Sequence, residues 1–258
     1  MTENCRSPFS STDRLWKLLL LPLVALAAIA LPNLAAAQAI DTNRPGFSYS
    51  PNVVAPGQWQ LETGFTYSRP DSDSYTTSLP TAEIRFGVAD QVELFVSSLS
   101  WSNASSSGSD TSGLVDMAIG TKVDISDAGA KTQMAFLFQL SVPTGDDSFT
   151  SDRWDPSAAF IWTHDSKLAL AGTVKLSDYE NGIQVDNSLK FPFTVDETRS
   201  AFVEWEMNLP EDGGDTHWLN GGYQWLIEEH MQLDFNAGLG LNDEAGDYRL
   251  GIGFSIRL

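Results

Sequence analysis

Residues 231–258 read MQLDFNAGLGLNDEAGDYRLGIGFSIRL, and the spacing of their apolar side chains decides the fold class. Met231, Leu233, Phe235, Ala237, Leu239 and Leu241 share one parity, and Tyr248, Leu250, Ile252, Phe254, Ile256 and Leu258 share the next. Gln232, Asp234, Asn236, Arg249, Ser255 and Arg257 fall on the opposite sides. The period is two, which belongs to strands and not to helices. Each run has about the ten or eleven residues with which a tilted strand crosses a bilayer. Between the runs, NDEAGD is acidic and contains glycine, as a turn at exposed strand ends should be. The pair is a hairpin of a membrane barrel or of a soluble sandwich, and the remainder of the chain has to discriminate.

Working outward from this hairpin, the same alternation recurs upstream. Trp59, Leu61, Phe65 and Tyr67 face away from Gln60, Glu62 and Thr66, and Ile84, Phe86 and Val88 face away from Glu83 and Arg85. Val92, Leu94 and Val96 oppose Glu93, but Phe95, Leu99 and Trp101 change parity, which predicts a bulge near Ser97-Ser98. Val115 to Ile125 carries Asp116, Lys122 and Asp124 on its polar side, and Met134 to Val142 is followed by Ala158, Phe160 and Trp162. Further runs place Lys175, then Asp186 and Lys190, then Glu204 and Glu206 opposite apolar neighbours, and Leu219 to Trp225 leads back to the closing hairpin.

The reading gives twelve strands, an even number that returns both ends of the sheet to one side. The predicted longer connections are 69–75, 102–112, 143–156, 178–182, 209–216 and 242–247; those at 89–91, 126–131, 164–167, 194–199 and 227–230 are mostly shorter. Sorting of this kind predicts an all-β, 12-stranded antiparallel transmembrane β-barrel with short periplasmic turns and longer extracellular loops. Trp59, Tyr67, Phe86, Trp101, Trp162, Phe193, Trp205, Trp225 and Tyr248 lie near strand ends, where amphipathic rings favour the headgroup layer.

Residues 1–39 have the pattern of a signal peptide: Arg14 and Lys17 precede an apolar run from Leu18 to Leu31, and Ala37-Gln38-Ala39 offers a cleavage site. The expected location is the outer membrane of a Gram-negative bacterium after cleavage near Ala39. The chain's one cysteine, Cys5, lies in that leader, so no disulfide or thiol chemistry is expected of the exported part. Residues 40–58 contain Pro45, Pro51 and Pro56 with Gly46 and Gly57 and do not alternate, which predicts an irregular lead-in at the periplasmic mouth or inside the lumen. The barrel proper is then 59–258.

Acidic residues number 34 and basic ones 15, for a net charge of −19. Such a chain has no basic surface with which to neutralise phosphates, so a nucleic-acid partner is excluded. The lumen-lining candidates are Glu62, Glu83, Arg85, Glu93, Asp116, Lys122, Asp124, Lys175, Asp186, Lys190, Glu204, Glu206, Asp234, Arg249 and Arg257. Opposed charges among them can pair across the interior, avoiding isolated charge at low dielectric.

Neither cofactor nor metal is expected. Asp146, Asp147, Asp152 and Asp155, or Asp243, Glu244 and Asp247, are acidic loop clusters without the spacing of a defined calcium loop. His164, His217 and His230 are dispersed, and no Ser-His-acid set follows from spacing, which leaves a barrel lipid hydrolase, with a His such as His217 on the outer face, as the enzymatic alternative. Arg69 and Arg153 are basic residues of outer loops that could meet lipid phosphates.

Asp41-Thr42-Asn43-Arg44-Pro45-Gly46-Phe47 with Ser50-Pro51, Pro56-Gly57, Gln60-Leu61-Glu62-Thr63-Gly64, the run from Arg85 to Leu94, the Asp116 strand, and Leu140-Ser141-Val142-Pro143-Thr144-Gly145 occur in order. In these the chain resembles the outer-membrane family named for the meta-pathway of phenol degradation, described as transporters. The resemblance implies an outer-membrane channel or transporter passing small solutes, hydrophobic or aromatic ones included, by passive diffusion; it does not imply an enzyme of phenol breakdown. A closed barrel that anchors or scaffolds is the other reading of the same residues. Expected partners are outer-membrane lipid and lipopolysaccharide, the barrel assembly machinery during biogenesis, and a small-molecule solute. Leu258 departs from the aromatic terminus usual for such barrels, with Phe254 four residues earlier.

A barrel predicts that the protein is extracted only by detergent from outer membranes and migrates differently on gels with and without heating; release by salt or osmotic shock would identify a soluble sandwich instead.

Overall fold

The closing hairpin forms as its spacing predicts. In the computed structural model, which describes residues 39–258, β12 (Met231–Gly240) and β13 (Tyr248–Arg257) pair antiparallel, with Leu233 opposite Phe254 and Ala237 opposite Leu250. β1 (Trp59–Asp71) lies on the other side of β13, in register from Gln60 opposite Arg257 to Arg69 opposite Tyr248. That ladder joins the first and last strands and closes the sheet. The leader 1–39 falls outside the described residues except for Ala39, as does Cys5.

Between these ends run β2 (Ser74–Ala89), β3 (Val92–Ser106), β4 (Ser109–Leu114), β5 (Met117–Asp124), β6 (Thr132–Val142), β7 (Asp155–His164), β8 (Leu170–Tyr179), β9 (Gly182–Thr194), β10 (Arg199–Pro210) and β11 (Thr216–Glu228). Neighbours pair in succession around the circle. β4 and β5 both pair with β3, on either side of a break at Val115-Asp116, so together they make one stave and the barrel has twelve. Among the described residues no helix is long and apolar enough to cross a membrane.

The distribution of side chains is inside out. Phe235 is 44% exposed while its neighbour Asp234 is fully buried, and Val203 is 43% exposed beside a fully buried Glu204. Leu94, Ile119, Phe138, Leu219 and Ile252 likewise cover the outside. In water this arrangement would forfeit the hydrophobic effect and desolvate charge as well. In lipid it is the stable one, because the apolar face meets hydrocarbon and closure leaves no unpaired strand edge. Rings gather at both ends: Trp59 meets Phe86 at 4.5 Å between centroids, and Tyr67 stacks on Tyr75 and Tyr248 at 6.1 and 5.9 Å.

Three predicted loops are shorter than expected. Residues 69–75 and 102–112 continue as strands to tight turns, the second at Ser107-Gly108 with φ of 49° and 82°, a pair of positive values that suits a two-residue hairpin turn. Between Tyr179 and Gly182 the turn is equally tight. Beyond the bilayer both faces of a strand meet water, so the period-two signal disappears although the ladder persists. Hydroxyl pairs such as Ser78–Ser102 (2.6 Å) and Ser74–Ser106 (3.1 Å) join β2 to β3 in place of apolar contact.

The bulge at Ser97-Ser98 is present. Between the pairs Ala82–Leu99 and Ile84–Val96, β3 carries one residue more than β2, and Ser98 has φ 58°. The phase change turns Leu99 and Trp101 outward, but Phe95 points inward and is buried. Its ring lies across β5 at Gly120, where a Cβ would run into it. Gly120→Val should therefore displace Phe95 and destabilise the barrel by about 1–3 kcal/mol, the usual cost of overpacking, read as a lower urea midpoint in micelles; an unchanged midpoint would show that the ring can move freely.

Candidate functional site

The lead-in is not left at the mouth. Its two ends lie at the periplasmic rim, where Ile40 N–H donates to Glu229 O (2.7 Å) and Gly57 N–H to Gly87 O (2.8 Å). Between them residues 41–55 rise into the barrel and return, hydrogen-bonded to wall side chains from β1 and β2 round to β12. Prolines and glycines deny this stretch a ladder of its own, so its buried backbone groups must find partners elsewhere. The wall supplies them.

Carboxylates of the wall take the N–H groups. Glu62 accepts from Asn43 N (3.2 Å) and Arg44 N (3.0 Å), Glu204 from Phe47 N (2.9 Å) and Ser48 N (2.7 Å), and Glu93 from Val54 N (2.7 Å). Cations and amides of the wall donate to the carbonyls. Arg85 donates to Asp41 O and Asn52 O, Lys122 to Ser50 O (2.9 Å), Lys190 to Ser48 O (3.0 Å), and Gln224 to Arg44 O (3.1 Å). Charge-assisted bonds of this kind are the stronger class.

Arg85 is the hub. It is 1% exposed, pairs with Glu62 at 2.8 Å and Glu93 at 2.9 Å, and Lys122 meets Glu93 at 3.3 Å. Two acids and two bases thus share one buried cluster, with Glu83 bound to the Asn43 amide at 2.7 Å beside it. Along the wall from Glu62 of β1, Arg44 reaches over β13 to Asp234 at 3.3 Å, and it can do so because Gly64 and Gly253 carry no side chains; a Cβ at Gly64 would stand 2.6 Å from the guanidinium. Nearer the outside, Arg249 pairs with Glu206 and lies between two rings, 4.0 Å from that of Phe47 and 4.3 Å from that of Trp218.

The other candidates divide. Lys175 stands opposite Asp186 across the β8–β9 ladder, and Asp186 accepts from Gln184 and from Asn208 at 2.8 Å. Arg257 ends β13 opposite Gln60. Asp124 caps its own turn by accepting from Ser126 N (2.8 Å). Asp116 serves the rim instead, where it sits at the break between β4 and β5 and accepts from Thr144 N, Gly145 N and Ser151 N at 2.8–2.9 Å. One carboxylate therefore ties the loop 143–154 to the break in the wall, helped by Asp146, which accepts from Leu114 N (2.8 Å).

Several of the loop charges are engaged within the protein. Arg153 binds Asp155 (2.7 Å) and Asp178 (3.3 Å), and Arg69 donates to Ser72 O. Among the described residues no three His, Cys, Asp or Glu side chains converge as metal ligands would. His217 bonds Asp215 (2.6 Å) and stacks on Trp205, and His164 bonds Thr132 (2.9 Å). Sequence reasoning missed Asn43, Phe47, Tyr49, Gln224 and Thr173, because parity alone does not say which residues meet inside the lumen. Arg44, a lone cation among prolines and glycines, was the one available hint.

No curated protein sequence matches this chain. Among solved structures, an outer membrane channel from Pseudomonas putida F1 superposes with a TM-score of 0.67 at 16% identity, over 83% of this chain and 99% of that one. The NanC porin gives 0.54 at 8% identity over 77% and 100%, and the translocator domain of autotransporter NalP from Neisseria meningitidis 0.51 at 9% over 95% and 96%. These likenesses establish the barrel fold.

Replacing Arg85 by Met should leave buried Glu62 without an ionic partner and Glu93 with Lys122 alone, and cost about 3–5 kcal/mol, read as a large fall in the unfolding midpoint; a small change would mean that water enters the cluster. Asp116→Ala should expose loop 143–154 to protease with the barrel intact, and equal protection in both proteins would deny the tether.

Residues 42–258 match the family described as "Putative MetA-pathway of phenol degradation", and the chain, an outer-membrane β-barrel, belongs to it.

Proposed function

We propose that the protein is an outer-membrane channel for small solutes, hydrophobic or aromatic ones included, which pass by diffusion through a lumen narrowed by residues 41–55. The observation that carries this reading is how the interior is filled. A barrel closed for good would be expected to pack an apolar core; here the filling is a single irregular segment, held to a charged wall by hydrogen bonds and by the Arg44–Asp234 ion pair. Such bonds can be exchanged for water, so the segment can shift without unfolding the sheet. The Pseudomonas putida F1 protein of the same fold is described as an outer membrane channel, which agrees with this reading.

Selectivity follows from the sign of the wall. Of the fifteen candidates nine are acidic and six basic; with Asp116 at the rim and Asp124 in its turn, seven acids face six bases inside, and the larger share of the negative charge comes from the acidic outer loops. The residual negative potential favours cations and neutral solutes over small anions. Lipopolysaccharide around the apolar belt and the barrel assembly machinery during insertion are the partners this placement calls for.

The competing reading is a closed anchoring barrel, and it draws on the same burial: Glu62, Glu93, Glu204 and Asp234 are 0–1% exposed. Planar-bilayer recording separates the two. The reconstituted protein should conduct with cation-over-anion preference in a salt gradient, and deletion of residues 42–54 should raise its conductance several-fold. No conductance in either protein, or anion selectivity, would contradict the channel.

A further inference from the structure

The inner wall carries single buried rings at Phe202 and Trp218, each beneath a cation, and one contiguous apolar cluster. Phe95 of β3, Ala135 and Leu137 of β6, and Ala159 and Ile161 of β7 form a cluster, each 0–5% exposed. Phe95 reaches its neighbours by lying over Gly120 of the intervening strand. One side chain of the threaded segment packs on this cluster, Tyr49. Its backbone is held separately, by Tyr49 N–H donating to Thr173 Oγ1 at 3.1 Å.

The cluster is more than the segment needs for attachment. Residues 43, 44, 47, 48 and 54 are already fixed through backbone bonds to Glu62, Glu204 and Glu93. Hydrogen-bonding side chains at β6 and β7, like Glu204 of β10, would hold the segment equally well. An apolar facet facing a wet lumen is unfavourable when uncovered, and what covers it is a single phenol ring. A facet of that size and chemistry accepts another flat, uncharged ring in the same place. It gives a sugar no partners for its hydroxyls and an ion no counter-charge, so both would lose hydration there without compensation.

We propose that Phe95, Leu137 and Ile161, with Ala135 and Ala159, form a binding site for an uncharged monocyclic aromatic solute, which Tyr49 occupies until such a solute displaces it. The inference rests on the channel reading and adds where in the lumen the solute pauses. Displacement of the tyrosine ring leaves the segment's polar bonds in place, so binding needs a rotamer change rather than withdrawal of the segment.

The test uses the full-length protein in detergent with fluorobenzene as the probe, followed by fluorine NMR, and inositol as a polar ring of the same size. The wild type should bind fluorobenzene saturably and ignore inositol. Tyr49→Ala should bind it at least tenfold more tightly, because the internal competitor is gone. Ile161→Asn, checked by heat-modifiable mobility to be folded, should abolish the saturable component in both backgrounds and leave only partition into micelles. Unsaturable uptake by the wild type, or equal binding by Ile161→Asn, would overturn the proposal. Saturable binding without conductance in bilayers would instead remove the channel reading and leave the site standing.

Discussion

The interior of this barrel is governed by one constraint: an irregular peptide placed inside a lipid-bound cylinder must have its backbone donors and acceptors satisfied there. Residues 41–55 have no ladder, and the wall answers their backbone groups with side chains of the right sign. Glu62, Glu93 and Glu204 take N–H groups, while Arg85, Lys122 and Lys190 give to carbonyls. Some of those carboxylates and cations are then close enough to pair with one another, as Arg85 does with Glu62 and Glu93. Burial of these three charges is tolerable because each has both an ionic and a hydrogen-bonding partner.

The wall is adapted to this content in several ways. Gly64 leaves room for the Arg44 guanidinium, and Gly120 lets Phe95 lie across its strand. At Val115-Asp116 one stave is interrupted, and the interruption is used: Asp116 gathers three N–H groups of the 143–154 loop, fixing that loop over the break. A carboxylate that would read as one more luminal charge is thus an organiser of the outer rim. Its tie is local and separate from the cluster around Arg85.

Much of this was legible in the sequence, and the limits have physical causes. Wherever a strand crosses lipid, one parity must be apolar, so the closing hairpin, the twelve staves and the bulge at Ser98 could all be read. Where strands leave the bilayer that requirement lapses, and 69–75 and 102–112 read as loops although they are strands for most of their length. Nothing in a parity pattern says what a charge is paired with. The lead-in is recognisable as irregular from Pro45, Pro51 and Pro56, but its course between Glu62 and Glu204 depends on contacts as far apart in sequence as the 157 residues between Phe47 and Glu204.

The segment lies in the lumen against β9 and β10, held there through Ser188 and Glu204. Ser48 and Ser188 approach to 2.9 Å between hydroxyl oxygens, and residues 39–258 contain no cysteine. Cysteines at these two positions, placed in reconstituted membranes under oxidising and reducing conditions, test that placement directly. The account predicts a disulfide within the folded, heat-modifiable barrel and a solute flux lowered by oxidation and restored by reductant. Failure of the bond to form in folded protein, or a flux indifferent to it, would contradict the account.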